Sequence, residues 1–234
     1  MRLLILSDLH GNRAALDAIR EPCDALVCLG DLVTYGPDPG YCVDTIRQRV
    51  DRRVRGNHDH AAAFGAEPGC TPTYTPLARA TLAHAARVLS EEQRRFLGRA
   101  PFVETFEWGG ARFCCVHAAP SDPLYRYLGP DVPDSVFEAE VARVACDVLL
   151  LGHTHRPLLR HYGRTTVFNP GSVGQPSDGD PRASYGIWED GRLKVKRVEY
   201  PIEETVRELE GLELDAKVLR PLVRILRTGA SLGR

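Results

Sequence analysis

The sequence predicts an α/β layered fold, on three observations. Short apolar runs recur along the chain, each stops at a polar cluster, and helical patterns lie between several of them. Strand–helix alternation of this kind favours sheets covered by helices. Runs this short, bounded by Gly, Asn and Asp, read as strands buried on both faces.

The elements follow in order. Residues 3–6 form the first run and end in Ser7-Asp8-Leu9-His10-Gly11-Asn12, with a helix expected over 12–20. Residues 25–29 end in Gly30-Asp31, and a helix is expected over 40–49. Residues 50–54 end in Gly56-Asn57-His58-Asp59. Residues 65–74, rich in Gly, Pro and Thr, read as a loop before helices over 75–88 and 90–98. Ser90 with Gln93 three positions on fits a capping box. Residues 113–116 end in His117, and a helix over 134–145 would be capped by Asp134 or Ser135. Residues 148–151 end in Gly152-His153-Thr154-His155, and residues 165–168 end in Asn169-Pro170-Gly171-Ser172.

Near the end the pattern changes. Residues 183–189 and 192–200 flank Asp190-Gly191, a hairpin signal that adds antiparallel strands to a mixed sheet. Residues 202–227 look helical, and Leu219, Leu222, Val223 and Leu226 make one apolar stripe. The stripe reads as docked on the body, with a dimer contact as the alternative, so the chain is expected as monomer or homodimer. Residues 228–234 read as a frayed tail. With no repeat or linker, 1–234 is expected to be a single domain.

Composition narrows the function classes. The 234 residues are 43% hydrophobic and 26% charged, which suits a globular core rather than disorder. Lys plus Arg total 30 against 31 Asp plus Glu, so long nucleic acid is not the expected partner. The seven cysteines are odd in number and contain no CxxC; several sit in apolar runs and read as small buried hydrophobes in a reducing compartment. No signal-peptide pattern opens the chain and no apolar stretch of about 18 residues exists, so the cytoplasm is expected and no membrane.

The polar clusters carry the chemistry. Asp8, His10, Asp31, Asn57, His58, His117, His153 and His155 all sit where a strand meets a loop. In open α/β sheets that is where ligands bind. Each alone is ordinary; His153 and His155, as alternate residues of extended chain, would share a face. Together they bring Asp, His and Asn to one crevice from five strand ends, and burying so many polar groups without a ligand would be costly. Mixed nitrogen and oxygen donors suit Mn, Fe, Ni, Co or Zn, and no thiolate block competes.

Asp8-Leu9-His10, Gly30-Asp31 through Gly36, Gly56-Asn57-His58-Asp59, His117 and Gly152-His153-Thr154-His155 appear in that order. This series resembles the calcineurin-like metallophosphoesterase family over residues 3–175. The resemblance implies a four-layer αββα sandwich with mixed sheets and two divalent metal ions, manganese first, at the strand ends. It implies that Asp8, His10 and His155 hold one metal, that Asn57, His117 and His153 hold the other, and that Asp31 bridges them. His58 would be the catalytic histidine, outside the ligand set, and Asp59 would fix its tautomer. A carboxylate can span two cations about 3.5–4 Å apart, and such a pair clamps the attacking and leaving oxygens of an in-line displacement. A metal-bridging hydroxide would then be the nucleophile, and a histidine that titrates near neutral pH could protonate the leaving oxygen. The net positive site favours an anionic phosphate.

Departures refine the expectation. Phosphoprotein phosphatases of the family carry Arg after a second Asp, where Thr34-Tyr35-Gly36 stands here, so a phosphate-clamping guanidinium is missing. The block from Asn169 to Pro176 resembles a compact prokaryotic branch that includes phosphodiesterases and dinucleoside polyphosphate hydrolases. It reads either as turn chemistry or as a loop of backbone N–H groups near phosphate. Asn12 is a candidate phosphate contact or a helix cap, and Arg126 is a candidate phosphate contact. Tyr35, Phe64, Tyr74, Tyr125 and Tyr127 would stack on a nucleobase or aryl group, or anchor loops. His60, His84 and His161 fall outside the pattern. The expected function is hydrolysis of phosphodiester or phosphoanhydride bonds in small molecules, nucleotides among the candidate substrates. The alternatives are an asymmetric dinucleoside tetraphosphate hydrolase, a phosphomonoesterase or protein phosphatase, and a non-catalytic, metal-stabilised scaffold.

Overall fold

The first strand, β1 (Arg2–Leu6), buries both of its faces, and this sets the layering of the molecule. In the computed structural model, which describes residues 1–233, Leu4 and Leu6 of β1 face helices while Leu3 and Ile5 face a second sheet. The first sheet has the order β10 (Arg192–Val198), β9 (Ala183–Glu189), β1, β2 (Ala25–Cys28), β3 (Arg52–Arg53). The second runs β4 (Val103–Trp108), β5 (Ala111–Val116), β6 (Val148–Leu150), β8 (Thr165–Asn169), β7 (Leu158–Tyr162). Both sheets are mixed: β1–β2, β2–β3, β5–β6 and β6–β8 pair in parallel, and β1–β9, β9–β10, β4–β5 and β7–β8 are antiparallel.

Three cores separate the layers. Between the sheets, Leu3, Ile5, Val27 and Leu29 meet Phe113, Cys115, Leu150 and Phe168. Outside the first sheet, Leu4, Leu6 and Leu26 pack on α1 (Arg13–Ala18), α2 (Pro39–Arg49) and α5 (Glu91–Arg99) through Leu16, Ile46 and Leu97. Outside the second, Cys114, Leu149 and Val167 pack on Phe137 of α6 (Asp134–Val141). The αββα sandwich is therefore present, and β1, β2 and β6, which are unbroken or nearly unbroken apolar runs, are buried on both faces. All seven cysteines are free thiols. Among the described residues no helix is long and apolar enough to cross a membrane.

Several boundaries differ from expectation. Only Arg52 and Arg53 of the run 50–54 pair, because this is a charged edge strand. The Gly56-Asn57-His58-Asp59 block opens a helix, α3 (Asn57–Phe64), rather than a loop. Strands β4 and β7 escaped the sequence reading. α6 stops at Val141, and neither Asp134 nor Ser135 caps it; the cap position is Pro133, with no side-chain hydrogen bond. The expected helix over 202–227 is two, α7 (Ile202–Glu210) and α8 (Ala216–Thr228), broken after Gly211. The α8 stripe docks on α4 (Thr75–Val88): Leu222 and Leu226 are buried with Leu77 and Ala78. The expected frayed tail is tied down over 229–233, where Gly179 N–H donates to Gly229 O at 2.8 Å and Ala230 bridges to Asp178; residue 234 lies outside the described residues. The capping box of Ser90 and Gln93 and the Asp190-Gly191 hairpin form as expected.

Candidate metal centre

The loops that leave the parallel strands of both sheets converge. Those after β1 and β2 are laced by Asp8 N–H to Gly30 O (3.0 Å), His10 N–H to Asp31 O (3.0 Å) and Gly36 N–H to His10 O (2.8 Å). Gly152 N–H donates to His117 O (2.8 Å), and Val173 and Gly174 N–H donate to Ser7 and Asp8 O (both 3.0 Å). This tight lacing forces Asp8, His10, Asp31, Thr34, Tyr35, His153 and His155 into left-handed backbone, with φ between 48° and 69°. Such conformations cost on the order of 1–3 kcal/mol each and concentrate at functional sites. Glycine is required where loops cross: a Cβ on Gly56 would lie 2.0 Å from Asp31 Oδ1, and one on Gly152 would lie 2.1 Å from Ser7 Oγ.

Asp8, His10 and His155 form one group, and Asp31, His117 and His153 a second; within each, potential ligand atoms lie within 4.8 Å of one another. The histidines are oriented from behind. His10, His117 and His155 each donate Nδ1–H to a backbone carbonyl, of Val33 (3.0 Å), Leu29 (2.7 Å) and Gln175 (2.8 Å). That fixes the tautomer and turns each Nε2 inward. Nε2 of His10 and Nε2 of His155 face each other at 3.0 Å. Asn57 donates from Nδ2 to Pro68 O (2.6 Å), which points its Oδ1 to within 3.0 Å of His117 Nε2.

Each carboxylate has one oxygen satisfied and one bare. Oδ2 of Asp8 accepts from Ser7 Oγ–H (2.5 Å) and His153 N–H (3.1 Å), while its Oδ1 has no hydrogen-bond partner and lies 3.3 Å from His155 Nε2. Oδ1 of Asp31 accepts from His58 N–H (2.9 Å), while its buried Oδ2 stands unpartnered, 3.1 Å from His117 Nε2 and 3.9 Å from His10 Nε2. That bare oxygen therefore sits between the two groups. His153 Nε2 is likewise buried and unpartnered. Buried carboxylate and imidazole groups crowded in this way are unfavourable alone, and their donor set fits divalent cations of mixed nitrogen and oxygen preference.

The titration behaviour reflects this crowding. Burial opposes ionisation of Asp8, yet His155 holds it down at about 2. Burial opposes the charge on Asp31 too, and His117 and His58 override it and hold it well below the usual carboxylate range. Burial disfavours His117 as a cation, but the Asp31 carboxylate carries it up to about 9. Burial and then the neighbouring His117 push His153 down to about 3.

His58 lies beside these groups and lines the cavity they open into. Its Nδ1 is 2.8 Å from Thr34 Oγ1, and that hydroxyl donates to Val33 O at 2.5 Å. Asp59 does not fix the His58 tautomer, contrary to expectation. Its carboxylate is aimed at backbone, accepting from Asp31 N–H (2.8 Å), Leu32 N–H (2.8 Å) and Gly56 N–H (3.2 Å). The partners of His58 are Thr34, which stands at the second Asp of the phosphoprotein phosphatase pattern, and Cys70, whose Sγ lies 3.4 Å from Nε2.

Residues 1–190 match the model of the calcineurin-like phosphoesterase superfamily domain. The chain belongs to that superfamily. An uncharacterized protein of Methanocaldococcus jannaschii is 31% identical over 230 residues, 88% of this chain and 91% of that one. The phosphodiesterase YfcE of Escherichia coli K12 is 28% identical over 210 residues, 83% of this chain and 91% of that protein. A metallophosphoesterase crystal structure from Sphaerobacter thermophilus superimposes with a TM-score of 0.82 at 31% identity, covering 98% of this chain and 99% of that one.

Two residues placed at the site from sequence lie elsewhere in this calcineurin-like phosphoesterase. Asn12 is fully buried: its Oδ1 accepts from Ala15 N–H (3.1 Å) and Thr205 Oγ1–H (2.9 Å), and its Nδ2 donates to Gly174 O (2.9 Å) and Tyr200 Oη (3.2 Å). It caps α1 and has no hydrogen-bonding capacity left for phosphate. Arg126 pairs with buried Glu140 at 3.3 Å, and the same carboxylate accepts from Ser121 N–H (2.8 Å), so it ties the loop after β5 to α6. The cation beside the centre is Arg156, one residue past the His153-Thr154-His155 block and paired with Asp131. Sequence reading missed it, although its adjacency to that block was a usable signal. The Asn169 to Ser172 block performs turn chemistry: Gly171 N–H donates to Asn169 Oδ1 (2.8 Å), and Ser172 Oγ–H holds Asp8 O (2.7 Å).

Proposed function

We propose that this chain is a dinuclear metal-dependent phosphoesterase that hydrolyses phosphodiester or phosphoanhydride bonds of small molecules. The observation that carries the reading is the bare Oδ2 of Asp31 between two groups of inward-facing donors. Asp8, His10 and His155 would hold one divalent ion, and Asn57, His117 and His153 the second, with Asp31 shared; manganese is the first candidate. Divalent cations there would supply Lewis-acid charge to phosphoryl oxygens and a water ionisable near neutral pH. The likeness to a phosphodiesterase supports the diester as the first substrate to test.

The chain's own groups have defined work. His58 donates Nδ1–H to Thr34, so Nε2 is the nitrogen that holds and delivers the proton to the leaving oxygen. Burial draws the imidazole down to about 4, with Asp31 opposing. An anionic phosphate in the cavity would oppose that depression. Asp59, Ser7 and Ser172 fix the loops that aim Asp31 and Asp8. The test is bound-metal content and diester turnover measured on the same preparations. Two ions per chain with turnover in proportion to them are expected; turnover in fully stripped protein contradicts the reading.

A further inference from the structure

The cavity beside the candidate centre has a volume of about 320 Å³. This is at the small end of ligand sites, which run to roughly 300–1,000 Å³. Three tyrosines, Tyr35, Tyr74 and Tyr127, line it beside the histidines, among smaller residues such as Thr71, Thr154 and Ser177. Tyr35 is buried, with its ring centroid 4.8 Å from those of His10 and His58. Tyr127 packs on His153 with centroids 4.0 Å apart, yet stays 41% exposed and within reach of a ligand. Among the described residues that line the cavity, Arg156 is the single Lys or Arg, and it is paired with Asp131.

One wall comes from outside the superfamily match. Ser231 and Gly233 line the cavity, while the match ends at residue 190. Their segment is fixed at both ends of its run: Gly179 N–H donates to Gly229 O (2.8 Å), and Leu232 N–H donates to the Tyr74 hydroxyl (3.1 Å). Helix α8 delivers the segment, so α8 supports the cavity as well as the core. Tyr74 is thereby held by its oxygen, which orients its ring against the space.

We infer that this cavity selects phosphate esters that carry one aromatic group, a nucleobase or an aryl ring, and that Tyr74, Tyr127 and the segment 229–233 set this selection. The selection rests on the phosphoesterase function proposed above. Three observations carry it. Tyrosine walls reward a flat π-system and offer little to a sugar phosphate or an alkyl ester. A single, already paired arginine leaves a long polyphosphate chain poorly neutralised, so one phosphate at the centre is what the charges suit. The volume of about 320 Å³ is enough for one ring-bearing substituent.

The test is calorimetric titration of metal-loaded protein with adenosine 5′-monophosphate and with ethyl phosphate, which share a phosphate and differ in the ring-bearing group. In the wild type the adenosine compound is expected to bind at least about ten-fold tighter. Tyr127→Leu and Tyr74→Leu keep apolar bulk and remove the ring, and Ser231→Trp narrows the cavity from the segment side. Each is expected to cut the affinity ratio several-fold, in protein checked for native melting and full metal content. A ratio near one in the wild type, or a ratio unchanged in all three variants, overturns the inference. Bis-p-nitrophenyl phosphate turnover on the same preparations separates the two readings. If turnover is present and the ratio is near one, only the aromatic selection fails; if the metal-loaded wild type turns over no phosphate ester, the phosphoesterase reading fails with it.

Discussion

Oγ1 of Thr34 lies 2.8 Å from Nδ1 of His58 and donates its own hydrogen bond to Val33 O. This contact occupies Nδ1 and leaves Nε2, 3.4 Å from Cys70 Sγ, as the nitrogen that the proposed mechanism uses for proton transfer. Thr34→Val keeps the shape and removes the hydroxyl. It is expected to lower kcat by roughly ten-fold or more, the scale seen when an orienting partner is lost, with a smaller change in KM. Thr34→Ser should restore most of the rate. Wild-type kcat in Thr34→Val would show that this contact has no catalytic role.

Removing the imidazole itself is a harsher change. His58→Ala should retain bound metal and fold, because His58 lies outside both groups of candidate ligands. Its kcat is expected to fall by about 10²–10⁴, the usual contribution of a positioned acid. An unaltered rate would favour a metal-stabilised scaffold instead.

Asn12 tests structure against substrate contact. Its side chain makes four hydrogen bonds joining α1, Gly174, Tyr200 and α7. Asn12→Ala removes a cap and strands buried partners, at a cost of about 1–3 kcal/mol. Melting is expected to drop by several degrees, while kcat/KM per folded molecule stays within about two-fold. Native melting with collapsed kcat/KM would return Asn12 to the substrate.

Acid should loosen the loop that carries Gly179. The Arg182 guanidinium hydrogen-bonds the Asp180 carboxyl and, against slight burial, holds it at about 2. The unfolded value is about 3.9. A folded pKa below the unfolded one contributes stability that is complete above about pH 4 and is lost as pH falls toward 2. The melting difference between wild type and Asp180→Asn is therefore expected to be constant near neutrality and to shrink between about pH 4 and pH 2. A difference that grows on acidification would contradict the pairing.

The sequence was most readable where burial is two-sided. Residues 3–6, 25–29 and 148–151 are apolar throughout because both faces of their strands are covered, and the residues that end them are the ones that converge. Edge strands carry no such signature: β4 alternates exposed and half-buried positions, Val103 to Trp108, and β3 is two arginines. Helix α3 was hidden because its first turn is the polar site block itself. The Asp59 carboxylate binds backbone N–H groups of another loop, a contact that no local pattern encodes. Thr34 was read only as part of the Thr34-Tyr35 replacement of an Asp-Arg pair, since its contact with His58 exists once the loop after β2 packs on α3.

The most direct measurement is hydrolysis of bis-p-nitrophenyl phosphate beside p-nitrophenyl phosphate by metal-stripped protein and by protein reconstituted with manganese. Diester turnover that is absent after stripping and returns with manganese is the predicted result. Turnover that survives complete stripping, or reconstituted protein that cuts neither these esters nor a natural phosphoanhydride, would contradict a metal-dependent phosphoesterase.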